Sequence, residues 1–387
     1  MPHAISMFQI ASRQAICKKI TPPEADSQVE DQGLQNQYWQ HKKADSIVCQ
    51  LPLAHPSLDD EFFFNRAQAH RQLNYHFAPE CVYSLPYAHL ISPAYVIKTF
   101  DNQILKESYL NDELLNQGGQ FLVQRIKLNM GSGQIDLPFA LYQNQLNETY
   151  SDQIGFLPVY YWHFNYHHWL IECLPLIELF CEDPHFANCK LILPENLNAF
   201  QAESLRLYHI PEEQRIYFNQ QNLGFKHLYA PSIGNFSSHQ LASVRQRLLK
   251  ATQAHQENPG KRIYVSRQDA NSRRIVNESE LLRVLAAFEF EVFELSQMPL
   301  GDQIRLFHQA SVICGPHGAG LSNLIFAPEN AMLIELTPHD TVNHCFWVQA
   351  NSLGQKYTYL PIKPINSARD MHLDPLKLQA LFAALEL

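Results

Sequence analysis

The chain has 387 residues, 46% of them hydrophobic and 17% charged, with a formal net charge of -9 and a pI of about 6.1. That length predicts two domains, or a single large one, with buried cores, and the acidic balance excludes nucleic acid as the main partner, because a phosphate backbone requires a basic footprint. Eight scattered cysteines with no C-x-x-C pair exclude a zinc ribbon and fit a reducing compartment, while the lack of a signal-peptide core and of roughly 18 uninterrupted apolar residues predicts a cytoplasmic protein without a transmembrane helix.

Residues 1–50 are polar and mixed and read as a loosely packed arm. Segment 62–77 is aromatic and basic without a clear period. Segments 94–100 and 104–108 flank Asp101-Asn102 and read as a hairpin. Two further strands are predicted at 121–128 and 135–141, around Gly131-Ser132-Gly133. The run 159–180, VYYWHFNYHHWLIECLPLIELF, then turns helical after Asn165, with Pro175 bending or dividing the helix. Helical spacing puts His168 and Glu172 on one face, with His163, His167 and Trp169 crowded close by. His163 and His167 have no third ligand of clear spacing, so no metal site is predicted.

Strands at 190–193, 216–218 and 225–229 and a helix at 198–208 follow, an alternation that predicts an α/β sandwich. Segment 231–235 reads as the linker between domains, and 238–254 as a helix. The expected division is a polar arm over 1–50, a domain over 51–235 with a β-rich start, and a C-terminal Rossmann-like domain over 236–387. In the latter, strand 262–265 leads into a loop bearing Ser266, Arg267, Arg273 and Arg274. Asn277 with Glu280 forms a capping-box pattern for the next helix. Strand 290–295, helix 302–310 and strand 311–314 lead to Gly315-Pro316-His317-Gly318-Ala319-Gly320. A helix from Leu321, a strand at 331–336, a helix at 344–353 and a strand at 356–361 come next. Asp374 and Pro375 open a last helix. Regular β-α-β order predicts a parallel, doubly wound sheet that binds ligands at the carboxyl ends of its strands. Arg267, Arg274 and the His317 loop leave from that edge. Glycines and a helix N-terminus there suit a phosphate or diphosphate, with His317 in reach of a phosphate oxygen or sugar hydroxyl. Arg273 reads equally as a solvated loop charge.

Three stretches together resemble glycosyltransferase family 61. They are Asn165-Tyr166-His167-His168-Trp169 with Glu172, then Arg262-Ile263-Tyr264-Val265-Ser266-Arg267 with 274–278, and then the glycine turn with Asn323 and Ile334-Glu335-Leu336. The resemblance covers about residues 155–340. It implies a GT-B-like α/β fold, with two Rossmann-like domains facing across a cleft, and an inverting enzyme that uses a nucleotide-sugar donor. It further implies that Arg267, Arg274, Asn277, His317, Gly318, Ala319, Gly320, Asn323 and Glu335 form the donor side, with the arginines on the diphosphate and Glu335 on ribose hydroxyls. Asn165, His167 and Trp169 fall on the acceptor side. His168 is the expected base, with Glu172 orienting it or acting as the base itself.

The expected function is transfer of a sugar, from a UDP-sugar above other donors, to a saccharide or lipid-linked saccharide in surface or capsular polysaccharide synthesis in a bacterium. No permanently bound cofactor and no metal are expected, and no nucleic acid partner. Peripheral membrane association at the inner face and an oligomer are both compatible with this reading. The rival readings are a nucleotide-sugar epimerase on a similar fold, which needs no acceptor, and a carbohydrate-binding protein without turnover.

Overall fold

The computed structural model describes residues 9–11, 18–19, 37–42, 45–50, 52–53, 74–77, 80–91, 95–100, 103–105, 149–160, 162–218, 222–232, 237–255, 260–340 and 343–387. The strands expected at 121–128 and 135–141, the Gly131-Ser132-Gly133 turn, Asp101-Asn102 and most of 62–77 lie outside the described residues.

The architecture is mixed α/β with two main sheets. The N-terminal strands are β1 (Gln9–Ala11), β2 (Lys18–Lys19), β3 (Gln37–Lys42), β4 (Asp45–Val48), β5 (Asn74–Phe77), β6 (Glu80–Ile91), β7 (Val96–Lys98) and β8 (Gln103–Leu105). Next come β9 (Tyr150–Phe156), β10 (Lys190–Pro194), β11 (Arg215–Phe218) and β12 (Leu223–Pro231). The first sheet runs β1-β8-β7-β6-β12-β9-β10-β11, with β2 and β3 attached through β6. Within residues 1–50, the described strands β1 and β3 pair with β8 and β6, so these segments belong to the first sheet and not to a separate arm. The hairpin expected near residue 100 is present, with Lys98 opposite Ile104.

Strands β9 to β12 pair in parallel, and parallel neighbours need crossovers. Helix α1 makes the first, as three consecutive segments: Tyr166–His168, a π-helical turn Trp169–Cys173, and Leu174–Glu182. Helix α2 (Ala199–Leu207) makes the second, with an Asn198–Gln201 capping box. Pro175 neither breaks nor divides α1. It lacks the N–H that would bond the carbonyl four residues back, and the ladder shifts register upstream, where Leu174 N–H bonds the Trp169 carbonyl five residues back.

After α3 (Ser238–Ala251), the second sheet is built from β13 (Lys261–Val265), β14 (Phe290–Phe293), β15 (Ala310–Pro316), β16 (Met332–Pro338) and β17 (Lys356–Ile362). Its helices are α4 (Glu278–Ala287), α5 (Leu300–His308), the 3-10 helix Ala319–Phe326, α6 (Cys345–Ser352) and α7 (Pro375–Ala384). All neighbours are parallel, in the order β14-β13-β15-β16-β17. The order reverses between β13 and β15, the switch point where such sheets open a crevice at their carboxyl ends.

Alternation along these strands sorts side chains onto two faces. Tyr264, Cys314, Ile334 and Leu336 pack outward against α4 and α7, in a cluster with Leu281, Leu378 and Phe382. Ile263, Val265, Ile313 and Leu333 face inward and join one continuous core with Trp169, Leu170 and Leu205 of the first half. Gln50 and Leu53 also reach the second half, through Leu53 N–H on the Tyr357 carbonyl and Trp347 Nε1 on the Gln50 carbonyl.

Buried polar bonds cross the same seam. Tyr166 Oη donates to Asn323 Oδ1 at 2.7 Å, and Asn323 Nδ2 donates to Gln303 Oε1 at 2.8 Å. Glu203 of α2 accepts from the N–H groups of Leu300 and Gly301 at 2.7 and 3.0 Å, satisfying the start of α5 where Pro299 provides no side-chain cap. Asn323 is fully buried. Asn323→Ala is expected to lower stability by roughly 2–4 kcal/mol, because it strands both the Tyr166 hydroxyl and the Gln303 amide oxygen without partners. Urea denaturation checks this, and a loss below about 1 kcal/mol would show that the bridge is not structural.

Candidate functional site

The histidine-rich start of α1 is fixed at both ends. Asn165 caps it, with Oδ1 accepting from His167 N–H at 2.9 Å. Trp169 is buried in the core, and its Nε1 donates to Ser204 Oγ at 3.0 Å. His167 points across the seam, with Nδ1 at 2.6 Å from Ser322 Oγ, and burial lowers its pKa to about 3. The three residues expected on the acceptor side are thus a cap, a core residue and a seam bond. A run of aromatic and histidine residues does not reveal which of its members face solvent.

His168 and Glu172 meet as their spacing predicts. His168 Nδ1 lies 2.8 Å from Glu172 Oε2 and 2.9 Å from Tyr160 Oη. The Tyr160 hydroxyl also donates to Glu172 Oε2. Tyr160 was not singled out in the sequence. It lies eight positions before His168, beyond any helical period, and only the fold between β9 and α1 brings it back. The His168 side chain is 31% exposed and Glu172 16%, so the imidazole stands in front of the carboxyl. Burial pushes Glu172 up to about 8 and His168 down to about 4, and both directions favour an uncharged pair near neutrality.

A second set of the same composition stands in the other half. His317 Nδ1 pairs with Glu335, whose other oxygen accepts from Tyr357 Oη at 2.7 Å. Glu335 lies on the inward face of β16 and is 1% exposed, so it orients His317 and is closed to a ribose. The His317 and His167 rings both pack against Phe346, at 5.2 and 5.7 Å.

The two loop arginines exchange their expected parts. Arg274 is bound by Asp370, with Nη2 at 2.7 Å from Oδ2 and Nε at 3.3 Å from Oδ1. Asn277 is buried and ties its side chain to both backbone groups of Leu373, at 2.9 and 3.0 Å, so the expected reciprocal cap is absent. Arg273 has a left-handed backbone, φ 57°, which turns successive side chains apart. Its charge faces Arg267, and burial together with Arg273 lowers the Arg267 pKa to about 10. Among the described residues neither arginine has a carboxylate at ion-pair distance. Arg267 Nη2 donates to the Ser272 carbonyl at 3.1 Å, and its Nε is buried without a partner.

Gly318 explains how Arg267 is seated. A methyl group on its Cα would lie 1.9 Å from Arg267 Nη1, so the guanidinium rests on bare backbone. Gly315 likewise lets β15 close on β13, where a Cβ would meet the Val265 carbonyl at 2.7 Å. These two glycines admit protein neighbours, where the sequence suggested room for a ligand. Ala319 and Gly320 start a 3-10 helix in place of the expected α-helix.

Arg267, Gly318 and Val265 form one wall of a cavity of about 550 Å³, and Tyr166, Phe200 and Glu203 form the opposite wall. It opens at the β13/β15 switch point and has the volume of a cofactor-sized site. His168 lies two residues beyond Tyr166 on the same helix.

An α/β protein with such a site is suited to group transfer from an anionic donor. Comparison with known proteins bears on the class. The family model described as Glycosyltransferase 61 matches residues 166–334, so this part of the chain is similar to a glycosyltransferase domain. Similar proteins include the EGF domain-specific O-linked N-acetylglucosamine transferases of Bos taurus, 34% identical over 99 residues, and Rattus norvegicus, 35% identical over 99 residues. Each of these matches covers 24% of this chain and 19% of the relative. The Drosophila melanogaster protein is 31% identical over 97 residues, covering 24% and 18%. The matched stretch therefore spans about a fifth of the curated relatives' length, and these relatives are animal proteins.

Protonation of His167 should be visible in stability. The folded-state pKa of His167 is depressed, so its contribution is complete above about 6.5 and is lost as pH falls toward about 3. The melting temperature should drop between pH 6.5 and 4. His167→Gln should make that limb shallower by about 1.4 kcal/mol per pH unit, one proton's linkage. Parallel acid limbs in the two proteins would show that His167 is not buried in its neutral form.

Proposed function

We propose that the chain is an inverting glycosyltransferase with a GT-B-like arrangement, in which the second sheet holds a nucleotide-sugar donor and α1 presents the acceptor base. The observation that carries this reading is the Arg267 guanidinium, seated on Gly318 at the switch-point cavity with its Nε buried and unbonded, and with the Arg273 charge acting on it. Two adjacent cations with no carboxylate at ion-pair distance among the described residues repel each other, and a diphosphate relieves that repulsion. Their charge also answers the charge gained by the departing nucleoside diphosphate, so they stabilise the transition state more than the ground state.

In the proposed reaction the acceptor oxygen attacks the anomeric carbon from the face opposite the diphosphate. The bond from that carbon to the diphosphate oxygen breaks, and His168 Nε2 takes the acceptor proton. This requires His168 Nδ1–H to donate to an ionised Glu172, because a protonated Glu172 would reverse the bond and leave a proton on Nε2. The similarity to N-acetylglucosamine transferases supports a donor of that sugar type, with UDP the nucleotide we infer. For the biological setting we propose assembly of a surface or capsular polysaccharide at the cytoplasmic face of a membrane, a role that depends on a saccharide acceptor.

Calorimetry with UDP, GDP, CMP and their sugar conjugates tests the donor site. One nucleotide class should bind, and Arg267→Ala should weaken it by roughly 10–100-fold, the scale of a lost charged hydrogen bond. Equal affinity in the variant would remove the phosphate assignment, and no binding to any nucleotide would remove the function.

A second measurement addresses the base. The kcat/KM should climb as pH rises toward about 8, where Glu172 ionises, and then level off. His168→Ala should cut turnover by roughly two to four orders of magnitude with donor affinity retained. Glu172→Gln should be slow and flat with pH. A wild-type rate already level from pH 6 would place the base elsewhere.

A further inference from the structure

The turn before α1 is held rigidly from behind. His163 N–H bonds the Tyr160 carbonyl at 3.0 Å, and Asn165 N–H bonds the Trp162 carbonyl at 2.9 Å. His163 faces inward, its Nε2 3.1 Å from Tyr95 Oη and its ring edge-on to Tyr95 at 5.2 Å. Gln201 Nε2 donates to the His163 carbonyl at 2.9 Å, and Asn198 Nδ2 to the Phe164 carbonyl at 3.3 Å. The carbonyls of Trp162, His163 and Phe164 are therefore all engaged within the protein.

Two aromatic rings flank His163 in sequence and extend the line of the base. Trp162 stacks beside His168, with centroids 5.9 Å apart and planes at 30°. Phe164 follows Trp162 at 5.7 Å and 44°, and is 45% exposed. Asn198, which holds the Phe164 carbonyl, also lines the donor cavity. A row of rings thus runs outward from His168 and adjoins the cavity wall. A single exposed aromatic is unremarkable. This one continues a fixed row that begins at the proposed base.

We propose that Trp162 and Phe164 form an acceptor shelf, on which successive pyranose units of a saccharide lie with their C–H faces against the rings and the reacting hydroxyl at His168 Nε2. The proposal rests on the transferase reading and adds to it the residues that hold the saccharide acceptor. Aromatic faces carry partial negative charge that attracts the polarised C–H groups of a sugar, and the ring spacings are comparable to one pyranose unit. The carbonyls of this turn are already bonded, so it offers an acceptor ring faces and not main-chain oxygens.

The test uses the full chain and needs no donor in its first arm. Saturation-transfer NMR with cellobiose, chitobiose and lactose, alongside the methyl monosaccharides, should detect a bound disaccharide. Phe164→Ala should weaken that disaccharide by about 3–10-fold and leave the monosaccharide unchanged, while Phe164→Tyr should restore binding. In turnover with the bound nucleotide sugar, Phe164→Ala should raise the disaccharide KM by a similar factor, with kcat and donor hydrolysis by water within about twofold of wild type. The shelf is overturned if none of the three disaccharides binds, if Phe164→Ala binds as wild type does, or if a serine/threonine peptide is glycosylated equally well by both proteins. Saccharide binding without any nucleotide binding would leave the shelf standing and overturn the transferase reading.

Discussion

Two side chains of α1 cross the seam between the halves of the molecule, and the position of each reactive group follows from that crossing. Tyr166 bonds Asn323 and His167 bonds Ser322, so the first turn of α1 is tied to the 3-10 helix that follows the glycine loop. The next residue, His168, is thereby fixed relative to the loop that seats Arg267. Had Tyr166 or His167 faced solvent, the angle between α1 and the second sheet would be left to apolar packing alone, which tolerates shifts that directed hydrogen bonds do not. The arrangement puts polar atoms in the core at the seam, and each is acceptable there because each is bonded.

Charge at the site follows the same economy. Buried carboxylates that serve structure are given strong partners: Asp370 has Arg274 and Asn366, and Glu178 has Arg247. Arg267 and Arg273 are given none among the described residues, although each is half-buried. A fold that satisfies its structural charges and leaves Arg267 at a cavity with a like charge close by favours an anion there. The histidines differ in the same way. His167 has a bonded Nδ1 and a packed ring and serves as a strut, whereas His168 has its carboxyl partner behind it and keeps nearly a third of its side chain accessible.

The secondary structure from 190 onward was legible because its apolar runs and turn residues agree with one another, and the Asp374-Pro375 start of α7 was read to the residue. The His168–Glu172 pair was legible because it depends only on helical spacing. Roles that depend on the third dimension were not. Glu335 shares a strand with Ile334 and Leu336, and the alternation gives two faces without saying that its own face is the seam. Arg273 and Arg274 are adjacent and alike, and the left-handed backbone that separates their tasks leaves no trace in an arginine-arginine pair. Asn277 bonds the Glu280 side chain at 3.0 Å, but the backbone groups its side chain satisfies are those of Leu373, 96 positions away, and not the helix start. Tyr160 was hidden by distance along the chain, and Trp169 by the assumption that a motif tryptophan faces the ligand.

The shared core also constrains how a donor can be taken up. Ile263, Val265 and Leu333 of the second sheet pack in one cluster with Trp169 and Leu205 of the first half. Opening the molecule along the seam would expose those residues at about 25 cal/mol per Å² of apolar surface, and it would also strand the Tyr166, Asn323 and Glu203 bonds. A wide hinge motion is therefore expensive. The loops at the carboxyl ends of β13 and β15 are cheaper to move, because they carry the Arg267 and Gly318 contacts and little of the apolar core. On the proposed reading, donor binding is then a matter of adjustment in the arginine loop against a fixed seam. The proposed base on α1 and the proposed diphosphate site keep their separation, as in-line displacement requires.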